Sequence, residues 1–89
     1  MARIRVPAVL RPLVDGQPIV ETDAPTLADL SRSIGVSHPQ LAARLFAPDG
    51  TLKEFVNVFL GGDDARQLDP GTTIGPTAEL LLLPAVSGG

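Results

Sequence analysis

The chain opens on an alternation of charged and apolar positions, Arg3-Ile4-Arg5-Val6. A period of two is that of a half-buried strand, and it predicts Ile4 and Val6 inward. Pro7 has no N–H, so it is expected to face away from a ladder or to sit at a bulge. Asp15-Gly16 is a turn signal and Gln17 to Thr22 reads as a second strand, which predicts an amino-terminal hairpin. The period then changes. Leu27, Leu30 and Ile34 fall at helical spacing behind a capping-box-like Thr26-Leu27-Ala28-Asp29, with Gly35 at the expected carboxyl end. Ser37-His38-Pro39 reads as a second helix start with Ser37 as cap, and Leu41 and Leu45 would share one face of that helix. Pro48-Asp49-Gly50 marks a turn. Phe55 to Leu60 is the clearest strand, with Val56, Val58 and Leu60 on one face and Phe55, Asn57 and Phe59 on the other. Gly61-Gly62-Asp63-Asp64 reads as a turn, Ala65 to Leu68 as a short edge strand, and Asp69-Pro70-Gly71 and Gly75-Pro76 as loop punctuation. Glu79 to Leu83 is apolar at every position after Glu79, the pattern of a central strand covered on both faces.

Two hairpins around a helical crossover predict an α+β domain. A right-handed crossover would place the first and last strands parallel in the middle of a mixed sheet of four to five strands, with one main helix and a short second helix across one face. This is the ubiquitin-like β-grasp arrangement. If the helices cover the Val56–Val58 face, Phe55 and Phe59 lie on the open side beside Leu81 and Leu83 as an exposed apolar patch, the usual mark of a docking surface. The reversed pattern would bury both rings. Arg3, Arg5 and Arg11 are expected around that patch, where guanidinium groups meet partner carboxylates.

Composition narrows the function classes. Eighty-nine residues support one modest core, burying somewhat over ~60% of the unfolded surface. With 44% hydrophobic and 19% charged residues and a net charge of −3, the chain is too apolar for disorder and not basic enough for nucleic acid. The absence of cysteine excludes disulfides, Cys-ligated zinc and thiol nucleophiles, and His38 alone makes no metal site. Next to Pro39, His38 reads as part of a helix start. Asp63-Asp64 reads as a solvated turn and Lys53 as a surface lysine. The longest apolar run, Leu80 to Leu83, is far short of a membrane span, and no signal-peptide stretch opens the sequence. The expectation is a cytoplasmic protein, monomeric when free, with no metal and no cofactor of its own.

The last five residues are Ala85-Val86-Ser87-Gly88-Gly89, after Pro84. The expected organisation is a β-grasp domain over 1–84 and a flexible tail over 85–89. By itself a terminal Gly-Gly is a weak signal, since termini commonly fray. A tail of this kind suits one chemistry. A carboxylate resists nucleophiles until its oxygen becomes a leaving group, as in an acyl-adenylate formed with ATP. Glycine lacks Cβ, so Gly88 and Gly89 fit a narrow channel and leave the acyl carbon open to attack. Sulfide or a persulfide attacking the adenylate would leave a thiocarboxylate on Gly89, and no cysteine is required in the carrier.

The chain resembles the ThiS/MoaD sulfur-carrier family, most closely its CysO-like branch. Val6-Pro7-Ala8-Val9-Leu10-Arg11-Pro12, Leu52-Lys53-Glu54-Phe55-Val56-Asn57-Val58-Phe59 and Leu82-Leu83-Pro84-Ala85-Val86-Ser87-Gly88-Gly89 carry the likeness. The resemblance implies a non-enzymatic protein co-substrate. An E1-like adenylating enzyme would use ATP to activate Gly89, and the thiocarboxylate would pass sulfur to a biosynthetic enzyme, with cysteine or a sulfur-containing metabolite favoured as product. Ala85, Val86, Ser87 and Gly88 would enter the partner's channel. Arg11 matches a family arginine that meets the adenylating partner. Pro7 and Leu83 match apolar contact positions that are often aromatic in MoaD proteins. Because the sequence ends at Gly89, no proteolytic trimming is expected. Two other readings share these residues. A ubiquitin-like modifier would join Gly89 to target lysines and give denaturant-stable conjugates, whereas an interaction module would be indifferent to substitution of Gly89.

Overall fold

In the computed structural model, which describes residues 1–54 and 56–84, strand β1 (Ala2–Arg5) and strand β2 (Ile19–Thr22) pair antiparallel. Ala2, Ile4, Val6, Val20 and Thr22 are buried while Arg3, Arg5, Ile19 and Glu21 are exposed, so the period-two pattern reports the sheet faces directly. The link between the two strands departs from a simple hairpin. Pro7 lies just beyond β1, and Ala8–Val14 winds as a 3₁₀ segment that buries Leu10 and Val14. Proline ends the ladder because it has no N–H to give, and its carbonyl accepts from the Leu10 amide at 2.9 Å to start the first turn. Asp15 and Gly16, both at positive φ, then reverse the chain as expected of that dipeptide.

Helix α1 (Leu30–Ser37) follows a 3₁₀ turn at Leu27–Asp29, and helix α2 (Pro39–Leu45) follows after His38. Leu30, Ile34, Leu41 and Leu45 point into the core, at the spacing anticipated. The helix boundaries differ from the sequence expectation in three places. Gly35 is inside α1. Ser37 is in its last turn, with its hydroxyl donating back to the Ser33 carbonyl at 3.2 Å, and His38 occupies the N-terminal boundary of α2 without a side-chain capping hydrogen bond. At the start, the Thr26 hydroxyl donates to the Asp29 carboxylate at 2.8 Å, while the Asp29 amide is taken by the Thr26 carbonyl.

Strand β3 (Val56–Leu60) turns through Gly61-Gly62 into the two-residue strand β4 (Asp63–Asp64). Both glycines have positive φ, which a two-residue hairpin loop of the primed type requires. Hence the turn is the glycine pair alone, with Asp63 and Asp64 already paired to Leu60 and Phe59. The stretch Ala65 to Leu68, expected as a short edge strand, instead holds a 3₁₀ turn at Ala65–Gln67 capped by Asp64.

Strand β5 (Glu79–Pro84) completes a five-stranded sheet in the order β2-β1-β5-β3-β4, with β1 and β5 parallel at its centre. Among the described residues this is the α+β, ubiquitin-like β-grasp arrangement. The position of β5 and the exposure of Leu81 and Leu83 match the expectation, but the cover on both faces suggested by the apolar run is not found. Leu80 and Leu82 are fully buried, whereas Leu81 and Leu83 keep 39% and 41% of their surface in water. Both helices contribute to a single core on the even-numbered side of β5, so the odd-numbered side is bare although every residue on it but Glu79 is leucine.

Candidate functional site

The bare face is built in rows by the strand register. One row runs across all five strands as Ile19, Arg5, Leu81, Phe59 and Asp64. The neighbouring row on one side is Glu21, Arg3 and Glu79, and on the other Leu83 lies opposite Asn57. The middle of the face is therefore apolar and its margins are charged. A shallow recess of about 400 Å³ is lined by Arg5, Phe59, Gly61, Gly62, Glu79, Leu81 and Leu83. Apolar side chains that stay exposed in adjacent strands form a surface whose burial against a second protein is favourable at about 25 cal/mol per Å².

Phe59, Leu81 and Leu83 come together as the alternation anticipates, with Phe59 half-buried. Phe55 lies outside the described residues, as do Ala85, Val86, Ser87, Gly88 and Gly89. Arg3 and Arg5 are exposed on this face, but the Arg5 guanidinium is already paired with the Glu79 carboxylate. An exposed pair of this kind is worth little to stability and can be exchanged for a partner's carboxylate. Pro7 and Arg11 are half-buried and do not line the recess. Arg11 lies in the 3₁₀ segment, where its Nε donates to the Val6 carbonyl at 3.0 Å. Pro7 and Leu83 nevertheless lie towards the same end of the two central strands, because β1 and β5 run parallel and Arg5 pairs with Leu81.

Sequence reasoning missed two contributors to this face. Ile19 lies across from Arg5 at an exposed strand position, a role its alternation with Val20 could have signalled. Arg66 reaches the face from the 3₁₀ turn after β4, with Nη1 donating to Asn57 Oδ1 at 2.7 Å. Its local signal is the Asp64-x-Arg66 spacing, in which the Asp64 carboxylate accepts from the Arg66 amide at 2.9 Å. Elsewhere Lys53 Nζ donates to the Ala43 carbonyl at 2.8 Å near the end of α2, so the lysine has a helix-terminating role. Asp49 Oδ1 accepts from the Thr51 hydroxyl at 2.7 Å and from the Thr51 amide at 3.0 Å. The hydroxyl, then the amide, holds the Asp49 carboxyl below its ordinary value.

Among the described residues, no group of three or more His, Asp or Glu side chains is placed to hold a metal ion. No helix among them is long and apolar enough to cross a membrane.

The profile of the ThiS family matches residues 4–89. The sulfur carrier protein CysO of Mycobacterium tuberculosis is 30% identical over 89 residues, covering 97% of this chain and 96% of the relative. Small archaeal modifier protein 1 of Haloferax volcanii is 40% identical over 70 residues, covering 79% of this chain and 76% of the relative. The crystal structure of the Amycolatopsis orientalis BexX/CysO complex contains a chain that matches with a TM-score of 0.84 at 27% identity, with 100% of each chain covered.

Proposed function

The chain belongs to the ThiS family, and from that premise we propose that it is a sulfur carrier, a protein co-substrate with no catalytic site or cofactor of its own. The observation that carries this reading is the match of the family profile through the terminal Gly88-Gly89 pair. In the proposed reaction, an oxygen of the Gly89 carboxylate attacks the α-phosphorus of ATP on an E1-like adenylating enzyme and pyrophosphate leaves. Sulfide, or a persulfide from a sulfurtransferase, then attacks the acyl carbon and AMP leaves. With a persulfide, reductive cleavage of the S–S bond by a thiol releases the thiocarboxylate. A biosynthetic enzyme takes the sulfur in a final step, in the cytoplasm.

Within this reading the folded body and the terminal segment have separate tasks. Phe59, Leu81 and Leu83 supply the docking surface, Phe55 is assigned to it from the sequence alternation alone, and Pro7 and Arg11 contact the partner beyond the end of β1. Ala85, Val86, Ser87 and Gly88 thread the partner's channel and bring Gly89 to the α-phosphate. The likeness to CysO, whose Amycolatopsis orientalis counterpart is seen in complex with BexX, supports a carrier that docks on enzymes. ATP–pyrophosphate exchange on a cognate adenylating enzyme tests the assignment. Wild-type protein should stimulate exchange and a variant lacking Gly89 should not. Equal stimulation by both would remove Gly89 from the chemistry.

The likeness to small archaeal modifier protein 1 favours a second use of the same activated end, conjugation to target lysines. The two readings share the adenylate and part at the nucleophile. Denaturant-stable conjugates heavier than the free protein would identify the modifier.

A further inference from the structure

Asn57 is the second residue of β3, on the face that carries Phe59 and Leu83, and its place there has a structural cause. Arg66 Nη1 donates to Asn57 Oδ1 at 2.7 Å, and Arg66 Nη2 donates to the Lys53 carbonyl. The Arg66 amide is in turn held by Asp64 Oδ1. One guanidinium thus spans the residues before β3 and the second residue of β3, and it is anchored to the turn after β4. A planar fork of donors suits this task, whereas a lysine would offer a single point of attachment.

The ladder shows why that brace matters. The parallel pairing of β1 with β5 ends at Arg5 and Leu81. The antiparallel pairing of β3 with β5 continues through Val58–Leu82, Asn57–Leu83 and Val56–Pro84. At Leu83 and Pro84, beyond the last pairing with β1, β5 is held in the sheet by the beginning of β3, the part that Arg66 braces. We propose that Arg66 is a positioning residue that fixes the end of β5 at Leu83 and Pro84, the last described residues before the sequence that ends in Gly89. The inference rests on the reading of Gly89 as the acyl end. Orientation of a reacting group acts on the rate of the bound complex, while docking through the Phe59–Leu81 row is a separate matter.

The test compares Arg66→Gln with Asn57→Asp, which keeps an acceptor for the guanidinium. Amide hydrogen exchange is read at Leu83, opposite Asn57, and, as internal controls, at Ile4 and Val20, with kcat and KM for adenylation measured on the cognate enzyme. Arg66→Gln is expected to lower protection at Leu83 by about three- to tenfold, the loss of one or two partly solvated hydrogen bonds. Ile4 and Val20 should stay within about twofold, kcat should fall and KM should hold, while Asn57→Asp keeps its protection. Unchanged protection at Leu83 would overturn the inference. So would an equal loss at Ile4 and Val20, or a rise in KM at constant kcat. A wild-type protein that is never adenylated would overturn the proposed function alone, because the exchange measurement needs no enzyme.

Discussion

Leu81 and Leu82 are chemically identical neighbours on β5 whose truncation should have opposite consequences. Leu82 is fully buried, and Leu82→Ala should cost about 2–5 kcal/mol from lost transfer energy and the cavity left behind. A domain of this length has about 4–13 kcal/mol to lose. Leu81 keeps 39% of its surface in water and opens no closed cavity, so Leu81→Ala should cost under about 1 kcal/mol. Urea titration separates the two. At a slope of about 1 kcal/mol per molar, a 3 kcal/mol loss shifts the midpoint by about 3 M for Leu82→Ala, with the slope unchanged. The order reverses on the adenylating enzyme, where Leu81→Ala should raise KM for the carrier because the docking face has lost an apolar contact. Equal destabilisation by the two substitutions would refute the one-sided packing of β5. A Leu81→Ala protein with unaltered KM would remove Leu81 from the docking surface.

Other consequences follow from single sites. Gly35 lies within α1, where the nearest atom to an added Cβ is the Ala42 Cβ at 4.0 Å, an ordinary contact. Gly35→Ala should therefore stabilise the protein by about 0.5–1 kcal/mol, read as a higher urea midpoint, and a lower midpoint would contradict the placement. The Thr51 hydroxyl is the main cause of the lowered Asp49 pKa, so in Thr51→Val the carboxyl should titrate closer to its ordinary value of 3.8 by carbon-detected NMR. Because the folded value is depressed, the Asp49 contribution is present above the unfolded pKa and is lost as pH falls through the folded one. An unmoved titration would assign the shift to the amide alone.

What the sequence reveals depends on how far apart the interacting groups are. Arg3-Ile4-Arg5-Val6 and Val56-Asn57-Val58 alternate because each strand has one wet and one dry face, and local spacing records that. Leu80 to Leu83 carries no such record. Its bare side exists because both helices pack on the other, a property of the whole fold that four leucines in a row cannot show. Ala8–Val14 escapes the strand pattern for a related reason. Leu10 and Val14 are buried four residues apart, but Pro7 and Pro12 suit an irregular link as well as a strand end. The Arg66–Asn57 bond joins residues nine apart across a glycine hairpin, so the partner is visible only when β4 is seen to begin at Asp63.

The central claim is that sulfur is carried on the main-chain end of Gly89. Intact-mass measurement after incubation with ATP, a sulfur donor and a cognate adenylating enzyme tests it most directly. The expected product has one terminal oxygen replaced by sulfur, localised to Gly89 by fragmentation and absent when Gly89 is deleted. An unmodified mass with an enzyme that demonstrably charges another carrier of this family would contradict it.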